Sequence, residues 1–269
     1  MSRALISITS DFGVQSQGVG IMEGVAFSIA PDAKVIHLMH GLPEYDITAA
    51  ARTMETVRYL PVGCHVCVCD PGVGTSRKGI VCEVERGDYL IGPDNGVLIP
   101  ATRVLGGVRR VHELASPKYM RHPVSPIFHG RDIFVPAAAH LALGVLIADL
   151  GTPLDASLLV SAPYDEATRD GKEVHAKVIQ INRYGSLHLN ILHEMWDTFA
   201  LSPGSRVALI LPRHGGLSLP VCNTFGDVPK GQCLILKDDY GRVEVAKNQE
   251  SFAQQYEIRI DEEVVLCLP

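Results

Sequence analysis

The stretch Cys69-Asp70-Pro71-Gly72-Val73-Gly74-Thr75-Ser76-Arg77 decides the fold of the first half of the chain. An apolar run that begins at Val66 stops at the carboxylate of Asp70, and a Pro-Gly-x-Gly turn follows. Proline and glycine end strands, and glycine lets the backbone approach a ligand closely. In open α/β sheets, ligands bind at the carboxyl ends of the strands. The pattern therefore predicts a buried strand that ends in a ligand-facing acid, with Arg77 as its candidate partner.

Apolar runs alternate with helical patterns through the first half of the chain. Strands are predicted at residues 4–8, 34–39, 66–69, 80–84, 89–91 and 110–114. Helices are predicted at residues 18–30, 47–60 and 132–144, and Asp46 is the expected N-cap of the second helix. This alternation is typical of a mostly parallel sheet with helices on its faces.

A polar, turn-rich segment at residues 163–171 precedes a region with a different pattern. Strands are predicted in that region at residues 174–182, 206–211, 232–237, 242–246 and 263–268. Helical patterns are confined to residues 251–256 and a short piece near Trp196. We therefore expect an α/β domain over residues 1–162, a linker over residues 163–171, and a smaller β-barrel-like domain over residues 172–269.

The composition of the 269 residues is that of a globular protein, with 46% hydrophobic and 20% charged residues. The formal net charge is -6, and no basic run is long enough for a nucleic-acid-binding arm. No apolar stretch reaches the roughly 18 residues that a membrane span requires. Met1-Ser2-Arg3, followed by a short apolar run, lacks the layout of a signal peptide. We expect a cytoplasmic protein without a nucleic-acid or membrane partner.

The seven cysteines, an odd number, lie in apolar segments. The pair Cys64-x-x-Cys67 has a spacing used by zinc ligands, but no second ligand pair follows at a suitable spacing. Buried thiols in a reducing compartment are the favoured interpretation. The sequence therefore predicts no metal site.

Four side chains in the first half are candidates for chemistry. Asp11 follows the first predicted strand, where a carboxylate can accept hydrogen bonds from a ribose diol or act as a helix cap. Asp70 and Arg77 form either a functional pair or an ion pair that braces the turn. His129, within Phe128-His129-Gly130-Arg131-Asp132, stands at the start of an Ala-rich helix, where capping and packing are the alternatives to catalysis.

Polar clusters also follow strands predicted in the second half. Asn182-Arg183-Tyr184-Gly185-Ser186, with Asn190, offers an aromatic ring and amide groups that suit an adenine ring. Asp239-Tyr240-Gly241 and Lys247-Asn248-Gln249 form a second cluster. Both clusters are equally compatible with the surface of a hairpin. In the first half, Pro93-Asp94-Asn95-Gly96 is typical of a simple turn.

In order and spacing, these motifs resemble the S-adenosylmethionine hydroxide adenosyltransferase family, whose relatives are the fluorinase and chlorinase enzymes. The resemblance covers nearly the whole chain. It rests on Thr9-Ser10-Asp11-Phe12-Gly13, Asp70-Pro71-Gly72-Val73-Gly74-Thr75 through Arg77, Pro93-Asp94-Asn95-Gly96, Phe128-His129-Gly130-Arg131-Asp132, Phe225-Gly226-Asp227-Val228-Pro229 and Glu244-Val245-Ala246-Lys247-Asn248.

The resemblance implies an enzyme in which water attacks C5′ of S-adenosylmethionine and releases adenosine and L-methionine, without a further cofactor. It implies that Asp70, Arg77 and His129 act on the water. It also implies a homotrimer in which the nucleoside lies between the N-terminal domain of one subunit and the C-terminal domain of its neighbour. Fluorinase-type enzymes carry a tyrosine where this chain has Asp70, and this difference favours water over halide.

The substrate-binding residues implied by the resemblance are Asp11, Ser16, Tyr45, Asn95, Gly130, Asn182, Tyr184, Ser186, Asp239, Lys247 and Gln249. Ser16 stands where relatives carry an acid that faces the methionine amine, and Asp239 is a candidate replacement for that acid. Asn182, Tyr184 and Ser186 replace the Asp-x-Phe-Gly-Asn pattern of relatives. Two alternatives follow: halide-dependent adenosyl transfer, for which Gly130 leaves room, and a non-catalytic protein that binds an adenosine derivative.

Overall fold

The computed structural model describes residues 5–269. The described residues exclude Met1-Ser2-Arg3. They also exclude residue 4, with which the first strand was predicted to begin. The chain folds as two compact units, Met1–Pro163 and Tyr164–Pro269.

The first unit is an α/β domain built on a seven-stranded sheet of order β2-β1-β3-β5-β4-β6-β7. Its strands are β1 Leu5–Ser10, β2 Lys34–Met39, β3 Cys64–Val68, β4 Gly79–Val84, β5 Tyr89–Pro93, β6 Val108–Glu113 and β7 Pro153–Leu154. Its α-helices are α1 Gln17–Ile29, α2 Ile47–Met54, α3 Ile99–Val104 and α4 Val135–Ala142. Strands β2, β1, β3 and β5 are parallel, and the remaining neighbours pair antiparallel, so that only β4 and β7 run opposite to the rest. The predicted α/β domain with a mostly parallel sheet is confirmed.

The centre of this sheet places two acids at one edge. All residues of β1 and β3 are buried, including polar ones such as Ser7 and His65, which hydrogen-bond to each other across the two strands. The two strands pair in parallel from Ile6 opposite Cys64 to Ser10 opposite Val68. Because both strands end at the same level, Asp11 and Asp70 leave the sheet at the same edge. The core packed around these strands includes Met22 of α1.

Two of the predicted helices change geometry along their length. The segment predicted as a helix at residues 47–60 is α2, capped by Asp46, followed by a 3₁₀ helix, Glu55–Tyr59. The segment predicted at residues 132–144 begins earlier, with a π-helical turn, Gly130–Phe134, that continues into α4. π-helical turns are rare and occur frequently at functional sites.

The second unit is an antiparallel sheet of order β12-β11-β15-β9-β10-β14-β13, with β8 beside β9. Its strands are β8 Thr168–Asp170, β9 Glu173–Ile181, β10 Leu187–Leu192, β11 Arg206–Leu211, β12 Gly215–Pro220, β13 Cys233–Lys237, β14 Arg242–Lys247 and β15 Glu263–Cys267. Its short helices are α5 His193–Asp197 and α6 Phe252–Gln255. A bridge between Val221 and Ile235 joins the two ends of the sheet, which confirms the predicted barrel-like domain. Within residues 163–171, the expected linker, Tyr164 and Ala167 are buried and β8 pairs with β9.

The described cysteines are free thiols, and those of β3 are buried. Burial raises the pKa of the Cys67 thiol to about 12, so this side chain is a small neutral hydrophobe at physiological pH. Across residues 5–269, no helix is long and apolar enough to cross a membrane.

Candidate active site

Asp70 and Arg77 form a bidentate ion pair just after the end of β3. The turn after Asp70 is closed by backbone hydrogen bonds, from Val73 N–H to the Asp70 carbonyl and from Thr75 N–H to the Gly72 carbonyl. Arg77 therefore folds back on Asp70: its Nε donates to Oδ1 at 2.8 Å, and its Nη2 donates to Oδ2. The side chains of Asp70 and Arg77 are only 6% and 11% exposed. This geometry fixes the plane of the carboxylate.

Two glycines make this fold-back possible. Gly74 has a φ of +77°, and a Cβ on it would lie 2.6 Å from the Pro126 carbonyl oxygen. A Cβ on Gly72 would lie 3.1 Å from Cγ of Arg77. Position 74 therefore requires glycine for the close approach to the Pro126 backbone, and a glycine at position 72 lets Arg77 pack tightly on the turn.

His129 extends the pair into a hydrogen-bonded trio. Arg77 Nη2 donates to His129 Nδ1 at 2.9 Å, and the guanidinium also lies over the ring of Phe134 at 5.2 Å. Because arginine can only donate, Nδ1 accepts, and the neutral imidazole carries its proton on Nε2. Burial and the adjacent Arg77 guanidinium lower the pKa of His129, although Asp70 and Asp132 act in the opposite direction. His129 is thus held as the neutral Nε2–H form near pH 7.

The π-helical turn after His129 is fixed by a buried acid. Asp132 accepts hydrogen bonds from Ser125 N–H at 2.9 Å and from Nε and Nη2 of Arg131 at 2.7 Å each. Burial opposes its ionisation, but these bonds outweigh that effect and lower the pKa of Asp132. A Cβ on Gly130 would lie 2.8 Å from Cγ1 of Val68. The close packing of Gly130 on β3 therefore leaves no room for a side chain at this position.

A cavity of about 310 Å³ opens beside the trio. Its lining residues are Asp11, Phe12, Glu44, Tyr45, Val68, Asp70, Val73, Ile127, Phe128, His129 and Gly130. Among the described residues, the lining contains the carboxylates Asp11, Glu44 and Asp70 and no lysine or arginine. The cavity suits a ligand that carries positive charge.

Asp11 binds the loop that forms one wall of the cavity. Its Oδ2 accepts the Tyr45 backbone N–H at 2.9 Å and the Cys69 thiol at 3.7 Å. Burial, first of all, and the neighbouring Cys67 and Asp11 raise the pKa of Cys69, so it remains a thiol and a donor. Tyr45 has a φ of 63°, which is unusual for a bulky residue, and its side chain is exposed.

Ser16 and Asn95, two predicted binding residues, have local roles in this structure. The Ser16 hydroxyl caps α1 by accepting from Gly18 N–H at 3.2 Å, and it lines a neighbouring cavity of about 520 Å³. Asn95 donates from Nδ2 to the Cys69 carbonyl at 3.0 Å and accepts from Val97 N–H. Asn95 thus braces the backbone immediately before Asp70.

In the second unit, Asn182 organises the turn that carries the predicted nucleoside-binding residues. Its Oδ1 accepts N–H groups from Tyr184 at 3.0 Å and from Ser186 at 3.1 Å. Ser186 is buried, whereas the Tyr184 ring is exposed, with the guanidinium of Arg183 over it at 5.1 Å. The turn thus presents one aromatic face to its surroundings.

The other predicted residues of this unit lie at a second hairpin and turn. Asp239 is exposed, whereas Asp238 beside it is buried and accepts from His188 Nδ1 at 2.7 Å. Lys247 pairs with Glu250 at 2.5 Å, and Gln249 has a φ of 59°.

Glu44 and Asp238 were not identified from the sequence. Glu44 lies in the short exposed loop before α2. The one sequence signal for its place in the cavity was its position next to Tyr45, a predicted binding residue. Asp238 and Asp239 are adjacent and identical in type, and only the structure shows that Asp238 is the buried one.

Comparison with known proteins agrees with this architecture. A family model described as the SAM hydroxide adenosyltransferase N-terminal domain matches residues 6–151, and one described as the C-terminal domain matches residues 176–265. A (R)-S-adenosyl-L-methionine hydrolase from Salinispora tropica is 37% identical over 244 residues, which cover 90% of each chain. A fluorinase from Actinopolyspora mzabensis is 23% identical over 287 residues, covering 96% of this chain and 95% of that protein.

Among solved structures, an uncharacterized conserved protein from Thermotoga maritima superposes with a TM-score of 0.89 at 27% identity, over 97% of this chain and 99% of that one. The family models match both units, and the hydrolase aligns with nearly all of the chain. This protein therefore belongs to the SAM hydroxide adenosyltransferase family.

Proposed function

We propose that this chain hydrolyses S-adenosylmethionine by attack of water at C5′, giving adenosine and L-methionine. The observation that carries the proposal is the hydrogen-bonded trio of Asp70, Arg77 and His129 beside a cavity of ligand size. The relative from Salinispora tropica is named a hydrolase of (R)-S-adenosyl-L-methionine, which supports the same substrate here.

The charge of the cavity favours a sulfonium substrate. S-adenosylmethionine carries a positive sulfur, and the lining supplies carboxylates, of which Asp70 alone is paired with an arginine. Halide-dependent transfer is disfavoured because a halide anion would lie beside these negatively charged carboxylates. Two like unit charges about 4 Å apart repel by roughly 4 kcal/mol at the effective dielectric constant of a protein surface.

The chemical step follows from the side chains. A water oxygen forms a bond to C5′ while the C5′–S bond breaks. The electron pair of the C5′–S bond stays on sulfur, and methionine leaves as a neutral thioether. Asp70 orients the water and accepts its proton, since each carboxylate oxygen keeps a free lone pair beside the Arg77 bond. Arg77 holds the carboxylate, and His129 Nε2–H holds the water oxygen in line. The leaving group is already activated, so we propose that no metal or cofactor takes part.

The ribose is assigned to Asp11. Its Oδ2 is used by Tyr45 and Cys69, whereas no hydrogen bond to Oδ1 is observed within residues 5–269. A carboxylate oxygen at the end of a central strand accepts the hydroxyls of a ribose diol in other nucleotide-binding sheets.

We also propose that the protein is a homotrimer with a site shared between neighbouring subunits, as the family resemblance implies. The exposed Tyr184 ring is the candidate adenine-stacking group from the second unit. Light scattering is expected to give a trimer. Mixing inactive Asp70→Asn and Tyr184→Ala proteins is expected to restore part of the activity through hybrid sites, and a fully active monomer would contradict the assembly.

One incubation tests the proposed reaction. The protein is mixed with S-adenosylmethionine, with and without chloride or fluoride and with and without a chelator, and the products are identified by chromatography. Adenosine and methionine are expected in every arm. A halogenated nucleoside would favour halide transfer, and recovery of intact, bound substrate would favour a binding protein.

A further inference from the structure

The carboxylates that line the cavity differ in their hydrogen-bond and ion-pair partners. Each oxygen of Asp70 accepts one hydrogen bond from Arg77, and Oδ2 of Asp11 accepts the Tyr45 N–H and the Cys69 thiol. Glu44, by contrast, makes no hydrogen bond or ion pair with the described part of the chain, although it faces the same cavity. Among the lining carboxylates of the described chain, Glu44 is the one with both oxygens unoccupied, so both can bind a cation of the ligand.

The backbone around Glu44 is held in place. The peptide that joins Glu44 to Tyr45 donates its N–H to Asp11 at 2.9 Å, and Tyr45 adopts a φ of 63°. Such a conformation is unfavourable for a bulky residue and persists only where its surroundings determine it. Asp46 then caps α2 through Ala49 N–H at 2.8 Å. Glu44 therefore lies on the cavity wall directly before two anchored residues, Tyr45 and Asp46.

We propose that Glu44 binds the ammonium group at the amino-acid end of the substrate and thereby sets specificity for it. This inference rests on the proposed function for the identity of the ligand. Asp70, to which the proposed function assigns the reacting end, is only 6% exposed, whereas Glu44, in the lining of the same cavity, is exposed. S-adenosylmethionine fits this arrangement of one buried and one exposed acid, because its ammonium group lies several bonds from its sulfonium.

The serine that stands at the position of the family acid cannot supply this charge. Ser16 carries a neutral hydroxyl that already accepts from Gly18 N–H and lines the neighbouring cavity with Arg131, which bears the same charge as an ammonium group. Asp239, the other candidate, is in the second unit, and its side chain is exposed. Glu44 is the acid that the first unit itself places in the wall of the site.

The test compares two ligands on matched variants. Glu44→Gln is made in an Asp70→Asn background, so that slow turnover does not disturb the binding measurement. Asp32→Asn, in the same background, removes the same charge from an exposed turn outside the cavity. Calorimetry then gives the affinity of each protein for S-adenosylmethionine and for its analogue with hydrogen in place of the ammonium group.

The parent and Asp32→Asn proteins are expected to prefer S-adenosylmethionine by about tenfold, the usual worth of one charge-assisted hydrogen bond. Glu44→Gln is expected to lose this preference while binding the analogue as before. A preference that survives Glu44→Gln, or a loss of affinity that is equal for both ligands, overturns the inference. If the wild-type protein binds with this preference but releases no adenosine, the proposed reaction fails and the assignment of Glu44 stands.

Discussion

Replacing Asp70 with asparagine removes one negative charge and keeps the size of the side chain. In the wild-type structure, both carboxylate oxygens accept from Arg77. Asparagine offers one acceptor oxygen, and its NH₂ group then faces an arginine N–H, so one of the two bonds is lost and replaced by opposed donors. The Arg77 guanidinium, 11% exposed, keeps its charge without a counter-ion.

The magnitude of the effect follows from this geometry. A broken buried ion pair costs about 3–5 kcal/mol, but this pair borders a cavity that admits water, so we expect about 1–3 kcal/mol and a melting temperature lowered by a few degrees. Turnover is expected to fall far more, by roughly two to four orders of magnitude, because the variant can neither orient the water nor accept its proton. Substrate affinity is expected to change much less.

The assay measures the rate of adenosine release at saturating S-adenosylmethionine and substrate affinity by calorimetry. Asp46→Asn is the matched control, because asparagine caps a helix as well as aspartate does and this acid lies outside the trio. The control is expected to keep wild-type turnover. A folded Asp70→Asn protein with unchanged turnover would remove Asp70 from the mechanism.

Three further predictions concern the support of the trio. Gly130→Ala places a Cβ 2.8 Å from Val68 and is expected to cost about 1–3 kcal/mol in thermal unfolding and to lower turnover; unchanged stability would contradict the packing argument. The pKa of His129 is lowered from its ordinary value of 6.5, so the neutral form persists as the pH falls to that value; the acid limb of kcat/KM attributable to His129 is expected below pH 6.5, and an assignment above it would be inconsistent. Asn95→Ala frees the Cys69 carbonyl and is expected to cost about 1–3 kcal/mol, measured by urea unfolding, together with a loss of turnover; a change in neither would show that the brace is dispensable.

The fold followed from the sequence where local chemistry and hydrophobic pattern agreed. The buried strand β3 and the turn after it were predicted because an apolar run meets Pro and Gly directly after an acid. Strand β10 was missed because its polar residues His188 and Asn190 are buried. Their partners, Asp238 and the Asp165 carbonyl, are distant in sequence or come from an irregular segment, so the pattern alone did not predict a strand.

Strand β12 was missed for a different reason. It begins with Gly215 and Gly216 and ends at Pro220, a composition that favours turns, yet it pairs with β11 over its whole length. Tertiary pairing thus outweighs local propensity at this edge of the sheet.

The contacts of the site likewise include some that the sequence predicts and some that depend on tertiary packing. The pairing of Asp70 with Arg77 was foreseeable because a short turn connects them. The contact of Arg77 with His129 spans 52 residues and depends on how the π-helical turn packs on β3. Sequence resemblance supplied that link, whereas Glu44 emerged only from the shape of the cavity.

The central claim is that water held by Asp70, Arg77 and His129 attacks C5′ of S-adenosylmethionine. The most direct test is one reaction in ¹⁸O-labelled water, with the products analysed by mass spectrometry. The account predicts that adenosine carries a single ¹⁸O at its 5′-hydroxyl and appears in equal amount with unlabelled methionine. Adenosine without the label, or products in which the C5′–S bond is intact, would contradict it.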